Sequence, residues 1–186
     1  PGKDPISLVI KYIRTGVERY NSGSWNIMAG YEDAVAFVDK NGGLSHINHP
    51  GDWLESNKDI GSVSDPENVH FFEGDGFTTY TLEDNVCISG AQINDVDNRA
   101  LAQSLQLDPQ MINLVMLHGQ MERSGNVLCK KMFADKGIDY LALGHIHSFK
   151  SEKLHKRGVW CYSGCPAGRG FDECGEKGFS LITIEN

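Results

Sequence analysis

Three histidines stand at the ends of apolar runs, where they could ligate a metal. Asn113–Leu117 (NLVML) is a continuous apolar run of strand length and leads into His118-Gly119. Tyr140–Leu143 (YLAL) is a second such run and leads into Gly144-His145-Ile146-His147. Uninterrupted apolar runs of this length suit strands buried on both faces, as in a parallel sheet. In open α/β sheets, ligands bind beyond the carboxyl ends of such strands. His145 and His147 are two apart, so an extended backbone would turn both imidazoles the same way, with Gly144 permitting the turn. A lone histidine after a strand is ordinarily a hydrogen-bonded loop residue. A His-x-His pair at a strand end is a poor packing choice, and the joint pattern points to metal. Converging imidazoles suit manganese, iron or zinc, whereas magnesium prefers oxygen ligands.

The elements that would position these residues can be read along the chain. Residues 5–20 are predicted as an amphipathic helix, with Ile6, Val9, Ile10, Ile13 and Val17 near a 3.6-residue period. Residues 31–40 are predicted as a second helix, stopped at Asn41-Gly42-Gly43. A short strand over 44–48 then ends in Asn48-His49-Pro50-Gly51-Asp52. Strands are predicted over 69–72, 78–82, 86–90, 113–117 and 140–143, with a turn at 83–85. A short helix is predicted near 98–105, and a longer one over about 126–136, closed by Gly137. A hairpin over 151–155 and 159–163, a Gly-rich loop over 164–178 and a last strand over 179–184 complete the chain. The expected fold is α/β, a mixed β-sheet sandwich flanked by helices.

Composition narrows the function classes. The chain has 186 residues, 40% of them hydrophobic, enough for one domain or one domain plus a fragment. Its net charge of −8 argues against broad non-specific nucleic-acid binding. A metal-dependent nuclease stays open, because bound divalent cations add local positive charge. Five cysteines without a CxxC pair suggest reduced thiols in a cytoplasm instead of a disulfide framework. Cys161, Cys165 and Cys174 lack the spacing of the usual zinc knuckles. No apolar run reaches the roughly 18 residues of a membrane span, and no secretory leader is recognisable.

The stretches LVMLHGQ (114–120), GIDYLALGHIHSF (137–149), YSGCPAGRGFDE (162–173) and EKGFSLITI (176–184) resemble the C-terminal half of a calcineurin-like metallophosphoesterase. Within that superfamily they are most similar to the SbcD-type DNA exonuclease subunits. The resemblance implies an incomplete metallophosphoesterase fold over 73–186. It implies two divalent ions, manganese first with iron or zinc as the other candidates. His118 and His145 would bind one ion and His147 the other. The implied activity is phosphodiester hydrolysis on DNA, and the implied partner an SMC-like ATPase subunit.

The chain also departs from that pattern. No Asp-x-His occurs in residues 1–72, and the only Gly-Asp pair there, Gly51-Asp52, follows Asn48-His49 where the family places it before. Asn48-His49 could stand for the family's Asn-His pair, with Asn48 a metal ligand and His49 the catalytic group that protonates the leaving oxygen. Residues 24–56 (SWNIMAGYEDAVAFVDKNGGLSHINHPGDWLES) resemble instead an internal piece of a PHP-type metallophosphoesterase, in which His49 would be a metal ligand. A capped strand end without metal is the plain alternative. The expected organisation is therefore a segment over 1–72, PHP-like or a degenerate N-terminal half, joined to a calcineurin-like half over 73–186. Arg169, Asp172 and Glu173 could contact substrate or the outer histidine nitrogens, with Arg169 the substrate-binding candidate; salt links in a solvated loop are the alternative. The expected function is a metal-dependent phosphoesterase of the DNA exonuclease type. The alternatives are a small-molecule phosphoesterase, or a catalytically incomplete remnant that holds one ion or none and binds a partner.

Overall fold

The computed structural model describes residues 72, 74–82, 85–92, 97–122, 128–166, 173 and 175–185, and the backbone of 7–15. In chain order its elements are β1 (Ser7–Thr15), β2 (Thr78–Thr81), β3 (Val86–Gly90), α1 (Asn98–Ser104), β4 (Ile112–His118), β5 (Met121–Glu122), β6 (Leu128–Cys129), α2 (Lys130–Phe133), β7 (Tyr140–Gly144), β8 (Lys150–Lys153), β9 (Val159–Tyr162) and β10 (Lys177–Glu185). Six strands form one mixed sheet in the order β2-β3-β4-β7-β9-β8. The central four, β3, β4, β7 and β9, run parallel, and β2 and β8 close the edges antiparallel. The chain is thus mixed α/β, with short helices among the described residues.

The apolar runs at 113–117 and 140–143 form the two middle strands. Val115 and Leu141 are fully buried, and Leu117 and Leu143 nearly so. Burying a side chain of this size stabilises the fold by roughly 1.5–3 kcal/mol. Leu101, Ala102 and Leu105 from α1 and its end, and Phe133 from α2, join the same core. The Asp97 carboxylate caps α1 by accepting from the Arg99 N–H at 3.0 Å. The strand at β3, the turn at Asn85 (φ 64°) and the β8–β9 hairpin also agree with the pattern in the sequence.

Two expected helices are corrected. Residues 7–15 form a strand, paired antiparallel with β10 from Ser7–Glu185 to Thr15–Lys177. The β-branched Val9, Ile10, Ile13 and Thr15 suit a strand, and a nine-residue partner satisfies the backbone that a helix would have satisfied locally. The helix expected over 126–136 is confined to Lys130–Phe133, because Leu128–Cys129 pairs with Met121–Glu122. Leu128 and Phe133 are both buried. Five positions apart, they would sit about 140° apart on one helix, so a continuous helix could not bury both against one surface. The elements expected over 31–40, 44–48 and 69–71 lie outside the described residues.

The strand ends opposite the histidines are fastened by a polar network. The buried Asn113 side chain donates to the carbonyls of Asp108 (2.8 Å), Gly137 (3.0 Å) and Met111 (3.4 Å). The Asp139 carboxylate accepts from the Asn113 N–H at 2.8 Å and from the Arg157 guanidinium. Arg157 also donates to the Pro109 and Met111 carbonyls, at 2.7 and 2.6 Å. One guanidinium therefore links the starts of β4, β7 and β9. Gly158 permits this approach, since a Cβ there would lie 2.1 Å from the Ile138 carbonyl oxygen.

Candidate metal site

The parallel register places His118 directly beside Gly144, so β4 and β7 end level. The Gly119 N–H then donates to the Gly144 carbonyl at 3.3 Å, which continues the ladder one step past His118. His145 follows at once, and the rings of His118 and His145 meet edge to face with centres 5.5 Å apart. His145 is exposed, and His118 is half-buried.

The turn after β7 differs from expectation. His145 carries it, at φ 96°, and Gly144 does not have positive φ. A non-glycine residue held there costs on the order of 1–3 kcal/mol, and such strain collects at functional positions. It also breaks the strand alternation, so the two-residue spacing does not decide the relation of His145 to His147. Instead His145 meets His118, while His147 sits with a different group. Its Nδ1 lies 2.5 Å from Glu173 Oε1. Cys165 is buried beside them, its thiol directed to the His147 carbonyl (3.6 Å) and to Glu173 Oε2 (3.8 Å). Each of His147, Cys165 and Glu173 offers a ligand atom within 4.8 Å of the others.

Both halves of the site are braced from β9 and the loop after it. Tyr162, buried at the end of β9, accepts from the Met121 N–H at 2.7 Å and donates to the Gly119 carbonyl at 2.8 Å. This bridge fixes the chain leaving His118. Burial raises the Tyr162 hydroxyl above its ordinary value, against the lowering effect of the Met121 hydrogen bond, so it stays protonated and able to donate. Gly164 (φ 76°) packs against the backbone of 147–149; a Cβ there would meet the His147 oxygen and Phe149 nitrogen at 3.2 Å.

The spacing of the two rings is compatible with a shared divalent ion. An ion about 2.1 Å from one nitrogen of each ring, at a tetrahedral angle, sets the ring centres roughly 5 Å apart. The 5.5 Å separation of His118 and His145 is close to that. Asn48, His49 and Arg169 lie outside the described residues. The contact of Glu173 with His147 agrees with the expectation that Glu173 could reach an outer histidine nitrogen, whereas Cys165 beside it was not legible: the two stand eight positions apart in a Gly-rich loop, and no metal motif has that spacing. Cys161 and Cys165 part company, the former lying 3.5 Å from the Ser180 hydroxyl. No family model, curated protein or solved structure matches the chain. Among the described residues, no helix is long and apolar enough to cross a membrane.

Proposed function

We propose that the chain is a metal-dependent phosphoesterase of the DNA exonuclease type, built on part of a two-sheet metallophosphoesterase sandwich. The observation that carries this reading is the level ending of two parallel strands in His118 and Gly144-His145, with the two rings 5.5 Å apart. His118 and His145 would hold one ion, and His147 a second, with Asn48 as a further ligand. Bound divalent ions acidify a water and neutralise charge on phosphoryl oxygens. The chain's own part is to hold His118 and His145 side by side. The Tyr162 bridge and the Gly144–Gly119 hydrogen bond hold His118, and the strained turn holds His145. On this reading His49 would supply the proton to the leaving oxygen and Arg169 would steady the substrate phosphate. Manganese is the first ion to try, a cytoplasmic setting is proposed, and an SMC-like ATPase is the partner to seek.

Hydrolysis assays test the reading. Manganese-loaded protein should digest linear duplex DNA, and a His118→Ala, His145→Ala variant should not. Cleavage of a small aryl phosphodiester with no action on DNA would move the substrate to small phosphoesters. Absence of turnover on both would leave a metal-binding remnant.

A further inference from the structure

We infer that the ion at His147 is completed by Cys165 and Glu173, which makes it a zinc-class site with a thiolate ligand. The inference rests on the metal-binding part of the reading above, for His147 only, and needs no catalysis. It also answers a deficit in the sequence: the carboxylates that the resemblance expects from an N-terminal half are missing, and Glu173 brings an anion to His147 from the C-terminal side.

The geometry is that of a compact ligand set. In a tetrahedral site with a metal–sulfur bond of about 2.3 Å and a metal–oxygen bond of about 2.1 Å, sulfur and oxygen lie roughly 3.6 Å apart. Cys165 Sγ and Glu173 Oε2 are 3.8 Å apart. His147 Nδ1 faces the other carboxylate oxygen, Oε1, at 2.5 Å, so an ion between the three residues would draw on both Glu173 oxygens and open that gap to roughly 3.3 Å, a shift of under one ångström. The environment favours such an ion. Glu173 has a side-chain exposure of 14% and Cys165 is 5% exposed, so a carboxylate and a thiol share a mostly dry pocket with one imidazole. A carboxylate, a thiolate and an imidazole are the ligand types that zinc takes. Gly164 and the Gly178 N–H, which donates to the Cys165 carbonyl at 3.2 Å, hold the Cys165 backbone against the His147 loop.

Binding exchanges protons for metal. The Cys165 thiol gives up its proton to solvent, as does the hydrogen bond between His147 Nδ1 and Glu173, and no oxidant takes part. A thiolate selects zinc or cobalt over manganese. The two sites should therefore differ in preference, the His147 site taking zinc or cobalt more tightly than manganese.

Cobalt(II) titration of the metal-free full chain, under a non-chelating phosphine reductant, tests this. The expected spectrum has a sulfur-to-cobalt charge-transfer band in the near ultraviolet, of one thiolate per chain, bleached by zinc. Cys165→Ser should remove the band and weaken cobalt binding at this site by at least about tenfold. Cys129→Ser and Cys161→Ser should keep it, as should His118→Ala. X-ray absorption of the cobalt-loaded wild-type chain should show one sulfur in the metal's shell, a readout that depends on no substitution. A bound ion without the band, a band that survives Cys165→Ser, or no cobalt bound at all would overturn the assignment. The catalytic reading fails separately: the expected band in a chain that hydrolyses no phosphoester would leave this site standing and remove the phosphoesterase.

Discussion

Tyr162→Phe is the substitution that most sharply probes how the fold holds its histidines. The ring fills the same space, so no cavity forms and the edge-to-face contact with Trp160, at 5.6 Å, is kept. Only the hydroxyl goes, and with it the bonds to the Met121 N–H and the Gly119 carbonyl. A net hydrogen bond contributes about 1 kcal/mol, and a stranded buried group costs more. Gly119 and Met121 are only half-buried, so water recovers part of the loss. The expected destabilisation is about 1–2.5 kcal/mol. The loosened residues begin directly after His118, so divalent-metal affinity should fall several-fold as well. Urea denaturation followed by tryptophan fluorescence measures the first effect, and calorimetric titration measures the second. If stability stays within about 0.5 kcal/mol of wild type and metal affinity is unchanged, the bridge does not organise the site and the reasoning is wrong.

Four further outcomes follow from the geometry. Arg157→Ala removes the guanidinium that ties β4, β7 and β9 together, and should lower stability by about 1–3 kcal/mol in urea melts, the partial exposure of Arg157 limiting the loss. His145→Gly relieves the strain at φ 96° but adds unfolded-state freedom, so stability should hold within about 1 kcal/mol or rise while metal binding weakens; the same melts with a metal titration separate the two effects. Gly164→Ala places a methyl at positive φ against the 147–149 backbone and should cost about 1–2 kcal/mol together with cobalt affinity at His147. Tyr140 has its hydroxyl raised from 10.0, first by burial and then by the nearby Cys161. Above pH 10 the unfolded chain releases a proton that the folded chain retains, so stability should be full below that pH and fall as pH rises. Tyr140→Phe should flatten this alkaline loss in urea midpoints, and an unchanged slope would contradict it.

The parts of the fold that the sequence made legible are those where local pattern and tertiary setting agree. NLVML and YLAL are short continuous apolar runs bounded by turn residues, the pattern of central strands, and their histidines then fall at the carboxyl edge. The hairpin around Lys156-Arg157-Gly158 was equally plain. Residues 7–15 were not, because Val9, Ile10 and Ile13 satisfy a helical period as well as a strand, and only the distant partner at 177–185 decides between them. The turn at His145 was missed for a related reason: Gly144 is the residue that tolerates positive φ, yet strand pairing with His118 keeps Gly144 extended and passes the turn to its neighbour. The contact of Glu173 with a histidine was foreseeable from the acidic residues near the chain's end, but the meeting of Cys165 with His147 is a long-range contact with no trace in spacing.

Metal stoichiometry tests the central claim most directly. Purified chain saturated with manganese and zinc, then freed of excess, should carry two ions, and the His118→Ala, His145→Ala variant should carry one. One ion or none on the wild-type chain, or two on the variant, would contradict the account.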